Sequence, residues 1–146
     1  MKFFKPEEEA SIVSAIREAE AKSSGEIRVH LAKRCVGSPH DAAGKVFEKL
    51  GMTRTALRNG VLFFLVISDR KFAVIGDSGI HEKVGPEFWE TIRDALQADF
   101  RRGEFAKGLI DGIRACGDQL ARHFPRQIDD RNELSDQIST DEPSVS

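Results

Sequence analysis

Cysteine is scarce: Cys35 and Cys116 are the only two in 146 residues. Two thiols do not make a disulfide framework, so the fold must rest on an apolar core. Both read as reduced, one near a strand end and one on the core face of a helix. Net charge is scarce as well, with 22 basic against 24 acidic side chains and a formal −2. A protein that binds nucleic acid by neutralising many phosphates carries a basic excess, so that class is excluded. Long apolar runs are missing. The longest, Val61 to Ile67, has seven residues, against roughly 20 for a membrane-spanning helix. The start of the chain, Met1-Lys2-Phe3-Phe4-Lys5-Pro6-Glu7-Glu8-Glu9, turns acidic at once and holds no apolar signal core. A cytoplasmic protein without a membrane span is the expectation. The sequence also lacks His-Glu-x-x-His, Cys-x-x-Cys, a Walker loop and Gly-x-Ser-x-Gly. Cys35 stands beside Lys33 and Arg34, which favour a thiolate, but no base or resolving thiol accompanies it.

What is present suits one domain, since single cores commonly hold roughly 100–200 residues. The charge is uneven. Residues 126–146 hold six acidic side chains against two arginines, a net −4, which leaves +2 for residues 1–125. The division expected is a folded body over 1–125 and an acidic tail over 126–146. Ser139 to Ser146 is too polar to offset its ordering entropy, so a frayed end is predicted there.

Pro6 and three glutamates suit a helix start, and Ile12, Ala15, Ile16 and Ala19 supply its stripe. Glu26 to Leu31 alternates strictly, which predicts a strand with Ile27, Val29 and Leu31 on the core face. Glu26, Arg28 and His30 fall on its other, polar face and read as solvated or ion-paired. Ser38-Pro39 starts a second helix, with Ala42, Ala43, Val46, Phe47 and Leu50 as its stripe and Gly51 as its end. Val61 to Ile67 does not alternate and reads as a central strand covered on both faces. Ser68-Asp69-Arg70 turns it into the antiparallel strand Lys71 to Ile75. Gly76, Gly79 and Gly85 punctuate a loop. Pro86 then opens a helix with Phe88, Ile92, Leu96 and Phe100 at four-residue intervals, and Trp89 beside that stripe reads as a packing anchor. After Gly103, Phe105, Leu109, Ile113, Cys116, Leu120 and Phe124 line a last helix, closed by Pro125. The order α-β-α-β-β-α-α predicts an α/β fold, a three-layer α/β/α sandwich around an open mixed sheet.

This topology converges on one edge of the sheet. The first two strands are parallel and start there, and the third ends there. Glu26, Arg58-Asn59-Gly60 and Gly76-Asp77-Ser78-Gly79-Ile80-His81-Glu82 therefore meet. Carboxylate and amide oxygens on glycine-rich backbone are what Ca²⁺ or Mg²⁺ takes as ligands. The same residues also serve as turn chemistry, in which Asp77 bonds backbone N–H groups and Asn59-Gly60 is a turn pair. The residues alone leave both readings open.

Several stretches resemble the TPM domain family, whose members include a thylakoid acid phosphatase. They are Ser23-Ser24-Gly25-Glu26-Ile27-Arg28-Val29, Phe47 to Met52, Arg58-Asn59-Gly60-Val61-Leu62, Asp69-Arg70-Lys71, Ile75 to Ile80, Phe100 to Gly108 and Gly112-Ile113. The resemblance spans roughly residues 5–125 and implies a divalent-cation site, with phosphatase activity in some members. Carried onto this chain, it implies Asp77, Asn59, Glu26 and Glu82 as the metal ligands and Ca²⁺ or Mg²⁺ as the ion. Members often carry Asp-Asn-Gly before the central strand, where this chain has Arg58. Two functions follow. One is a non-catalytic module that binds a cation, or a protein partner, at the end of the sheet. The other is metal-assisted phosphomonoester hydrolysis, with Arg58 gripping phosphate and His81 protonating the leaving group.

Overall fold

The computed structural model describes residues 3–126 and 138–141. Helix α1 covers Pro6–Lys22, strand β1 Glu26–Ala32, and helix α2 Pro39–Lys49. A short 3₁₀ turn, Met52–Arg54, leads to β2, Gly60–Val66, and β3, Lys71–Gly76. Helices α3, Ser78–Arg101, and α4, Phe105–His123, follow, and β4 is Ser139–Thr140. The sheet order is β3-β2-β1-β4. Strand β1 runs parallel to β2 and β4, and β2 runs antiparallel to β3.

Local chemistry accounts for the helix starts. Pro6 sits in the first turn of α1, with Glu7, Glu8 and Glu9 at the positive end of its dipole. The Ser38 hydroxyl accepts a hydrogen bond from Asp41 N at 3.1 Å and caps α2. Strand β2 is buried along its whole length because it has a helical layer on each side. Val61, Phe63 and Leu65 pack into the core formed with α1, α3 and α4. Leu62, Phe64 and Val66 pack with Ala43, Phe47 and Met52 on the α2 side. Fully burying each such side chain contributes roughly 1.5–3 kcal/mol, so this unalternating run stabilises both layers at once.

Three features depart from the sequence reading. Residues 78–84 are helical rather than a loop: α3 starts at Ser78 and is kinked at Gly85, which has φ 76° and ψ 171°. Pro86 therefore opens the second segment of α3. In that segment Trp89, not Phe88, joins Ile92, Leu96 and Phe100 as a buried residue. The polar face of β1 is covered rather than solvated, with Glu26 and His30 buried and Arg28 half-buried, and the ion-paired alternative holds for His30, which meets Asp141. The His30 ring stacks on Phe64 at 5.8 Å. The third departure lies in the tail. Ser139–Thr140 pairs with His30 and Leu31, and His30 reaches Ser139 Oγ at 2.8 Å and Asp141 Oδ1 at 2.6 Å. Backbone pairing and one buried imidazole hold this segment, and composition reports neither. The remainder of the tail considered above, residues 127–137 and 142–146, lies outside the described residues.

Candidate functional site

The predicted convergence of strand ends is present. Glu26 lies opposite Gly60 in the β1–β2 register, and Val61 lies opposite Gly76 in the β2–β3 register. Asp77 N donates to Gly60 O at 2.9 Å. The start of β1, the start of β2 and the start of α3 thus form one polar end of the sheet.

Asp77 is at its centre. The residue is 7% exposed, and its Oδ1 accepts from Ser78 N at 2.8 Å, which caps α3. The same carboxylate takes a two-pronged contact from Arg58, Nε to Oδ2 at 2.6 Å and Nη2 to Oδ1 at 2.8 Å. The Arg58 side chain is 48% exposed, so an open guanidinium meets a covered carboxylate. The hydrogen bond to Asp77 raises the Arg58 pKa further above its ordinary value. Arg58 stands in the left-handed region at φ 51°. Its N–H closes a turn onto Thr55 O at 3.2 Å, and its carbonyl accepts from Gly79 N at 2.8 Å. The 58-loop is therefore seated on the first turn of α3.

Two glycines make that seat fit. A Cβ on Gly79 would lie 2.1 Å from Leu57 O and 2.7 Å from Arg58 O. A Cβ on Gly76 would lie 2.2 Å from Cζ2 of Trp89. The Trp89 indole donates to His81 Nδ1 at 3.0 Å, which leaves the proton of neutral His81 on Nε2. The imidazole itself is exposed.

The remaining predicted ligands separate into two groups. Asn59 is buried and donates from Nδ2 to Ser24 Oγ at 3.4 Å. Glu26 is buried at the start of β1, opposite Gly60. Glu82 is exposed on α3. Five residues beyond Asp77, it falls about 140° round the helix from the Asp77 direction. Among the described residues, no group of three or more His, Cys, Asp or Glu side chains gathers tightly enough to form a ready cation cage. Of the predicted ligands, Asp77, Asn59 and Glu26 lie at this end of the sheet. They match a hard cation in chemistry, with Arg58 occupying the Asp77 carboxylate.

Sequence reasoning missed Glu20, which is buried at the end of α1 and accepts from Ile27 N at 3.0 Å through Oε2. A signal for it exists, because Glu20 continues the four-residue spacing of Ile12 and Ile16. The Arg28 guanidinium lies close enough to feel its charge, but burial dominates and lowers the Arg28 pKa. Burial likewise pushes the Cys116 thiol pKa far up, so that sulfur serves as packing and not as a nucleophile. Asp99, also missed, is buried and bonds Arg102, closing the turn between α3 and α4.

An α/β/α sandwich with a polar end built from an Asn-Gly strand start and a Gly-Asp-Ser-Gly helix cap is the arrangement to be placed among known proteins. The chain belongs to the TPM domain family, whose family model matches residues 1–119. It is similar to the BA42 protein of the psychrophilic bacterium Bizionia argentinensis, solved by NMR. Identity is 46%, the TM-score 0.88, and the match covers 95% of this chain and 96% of that one. The N-terminal domain of a P. gingivalis protein shares the fold at 22% identity and TM-score 0.69, covering 85% of this chain and 82% of that one. The N-terminal domain of a Corynebacterium glutamicum protein shares it at 14% identity and TM-score 0.64, covering 80% and 74%. A comparison with curated proteins gives no match. Among the described residues, no helix is long and apolar enough to cross a membrane.

Proposed function

We propose that this chain is a non-catalytic binding module. The polar end of its sheet takes up one Ca²⁺ or Mg²⁺, with Asp77, Asn59 and Glu26 as donors. Glu82, on another face of α3, is left out of that set. The observation that carries this reading is the two-pronged contact between the exposed Arg58 and the buried Asp77. A carboxylate fixed by a helix cap is already organised for a cation, and an arginine currently supplies the positive charge. A divalent ion must displace that guanidinium, so uptake is weak. A dissociation constant at the weak end for oxygen-ligand sites, about 10⁻⁴ to 10⁻³ M, is expected.

In the ion-free protein the same contact leaves the phosphatase reading without a free group to grip phosphate. Arg58 is the group that would grip a phosphate, and its Nε and Nη2 are both spent on Asp77. Calcium and magnesium titrations followed by amide NMR test the proposal, together with phosphate release from a phenyl phosphate. Shifts confined to residues 24–27, 58–60 and 76–79, with release at the blank rate, are expected. No shift at tens of millimolar cation would overturn cation binding. Cation-dependent turnover abolished by Arg58→Ala would overturn the non-catalytic reading.

A further inference from the structure

The opposite end of the sheet holds a second concave feature that the cation reading does not use. Strand β3 leaves the β2–β3 turn there, and the second half of α3 passes over it. Between them lies an open groove of about 640 Å³. Small-molecule sites commonly fall in the range of about 300–1,000 Å³.

Its charge is one-sided. Arg70 and Lys71 enter it from the turn and the start of β3, and Arg93 and Arg101 from α3. All four are exposed. None of them forms an ion pair among the described residues, whereas Arg58, Arg102 and Lys107 each hold a carboxylate. The one acid in the lining, Asp94, leaves a local excess of three positive charges. A chain with a formal net charge of −2 thus concentrates unneutralised cations in one groove. Such a concave basic surface focuses the field and attracts anions.

The groove also has an aromatic floor. Phe72 and Phe100 meet edge to face at 5.2 Å, with Phe100 buried and Phe72 half-buried. Pro39, at the start of α2, closes the rim. Guanidinium groups bind phosphate oxygens in pairs, and an aromatic surface stacks a planar ring. Gln97 and Asp94 supply an amide and a carboxylate for hydrogen bonds to a ring amine or to sugar hydroxyls.

We propose that this groove binds a nucleoside diphosphate, its phosphates held by Arg70, Lys71, Arg93 and Arg101 and its base seated on Phe72, which Phe100 backs edge to face. A free small molecule is favoured over a nucleic-acid strand because the basic groups form one short groove rather than a track. The site is separate from Asp77 and needs no divalent ion.

The test is an amide NMR titration of the full chain in EDTA with adenosine diphosphate, and in parallel with pyrophosphate. Shifts at residues 70–72 and 93–101 are expected, with a dissociation constant of about 0.1 mM. Arg93→Glu and Arg101→Glu, both on the exposed face of α3, should each weaken binding about tenfold or more with spectra otherwise unchanged. Raising the salt concentration should weaken binding as well. Pyrophosphate should bind more weakly than the nucleotide, and equal affinity would overturn the assignment of the base. No shift in the groove with either probe, or binding unaffected by both charge reversals, would overturn the site.

Discussion

Arg58→Asp should strengthen calcium binding on the order of 100-fold, measured by calorimetry or amide shifts. Two effects add. The substitution removes the guanidinium that holds both oxygens of Asp77, and it introduces a second carboxylate at the same spot. Affinity in oxygen-ligand sites rises with the number of charged ligands. The backbone favours the change, because residue 58 has φ 51°. Aspartate and asparagine tolerate the left-handed region better than most residues. Arg58→Asn separates the two effects, since it deletes the competing cation without adding charge. An intermediate gain, about tenfold, is expected for it. If both variants bind calcium no better than the parent chain, Arg58 does not gate the site.

Gly79→Ala should destabilise the protein by about 3 kcal/mol, lowering its melting temperature by roughly 10 °C. The added methyl would lie 2.1 Å from Leu57 O, and a backbone carbonyl is not the end of a flexible side chain. Relief requires the 58-loop to lift off α3, which breaks the 2.8 Å bond from Gly79 N to Arg58 O. The loss should therefore reach the polar end of the sheet, with amide shifts at residues 57–60. Gly44→Ala is the matched control. It lies on the exposed face of α2, where a Cβ meets nothing within 4 Å. Replacing a helical glycine there should stabilise by up to about 1 kcal/mol. Equal melting temperatures for the two variants would contradict the packing described around Gly79.

Much of the fold is legible in the residues because it follows from periodicity. The stripe of α1, the alternation of β1 and the unbroken run of β2 each identify an element. The α-β-α-β-β order then brings Glu26, Asn59 and Asp77 to one end of the sheet. What periodicity does not carry is partnership between distant residues. Arg58 and Asp77 are 19 positions apart in different elements, and nothing in their spacing announces the contact. Gly76-Asp77-Ser78-Gly79 reads as a loop because glycine is a poor helix residue. The helix start was nevertheless encoded, in Asp77 as cap and in Ile80 and Val84 at four-residue spacing. The pairing of Ser139–Thr140 with β1 was not legible, because a two-residue strand has no period.

The most direct measurement is a calcium titration of the parent chain beside Asp77→Asn, read by amide NMR. Asparagine keeps the size of the side chain and its ability to cap α3, so the fold is retained. If Asp77 is the carboxylate for which Arg58 and the cation compete, the parent shows saturable shifts at residues 58–60 and 76–79, and Asp77→Asn loses them. Equal affinity in the two proteins, or shifts centred elsewhere on the molecule, would contradict it.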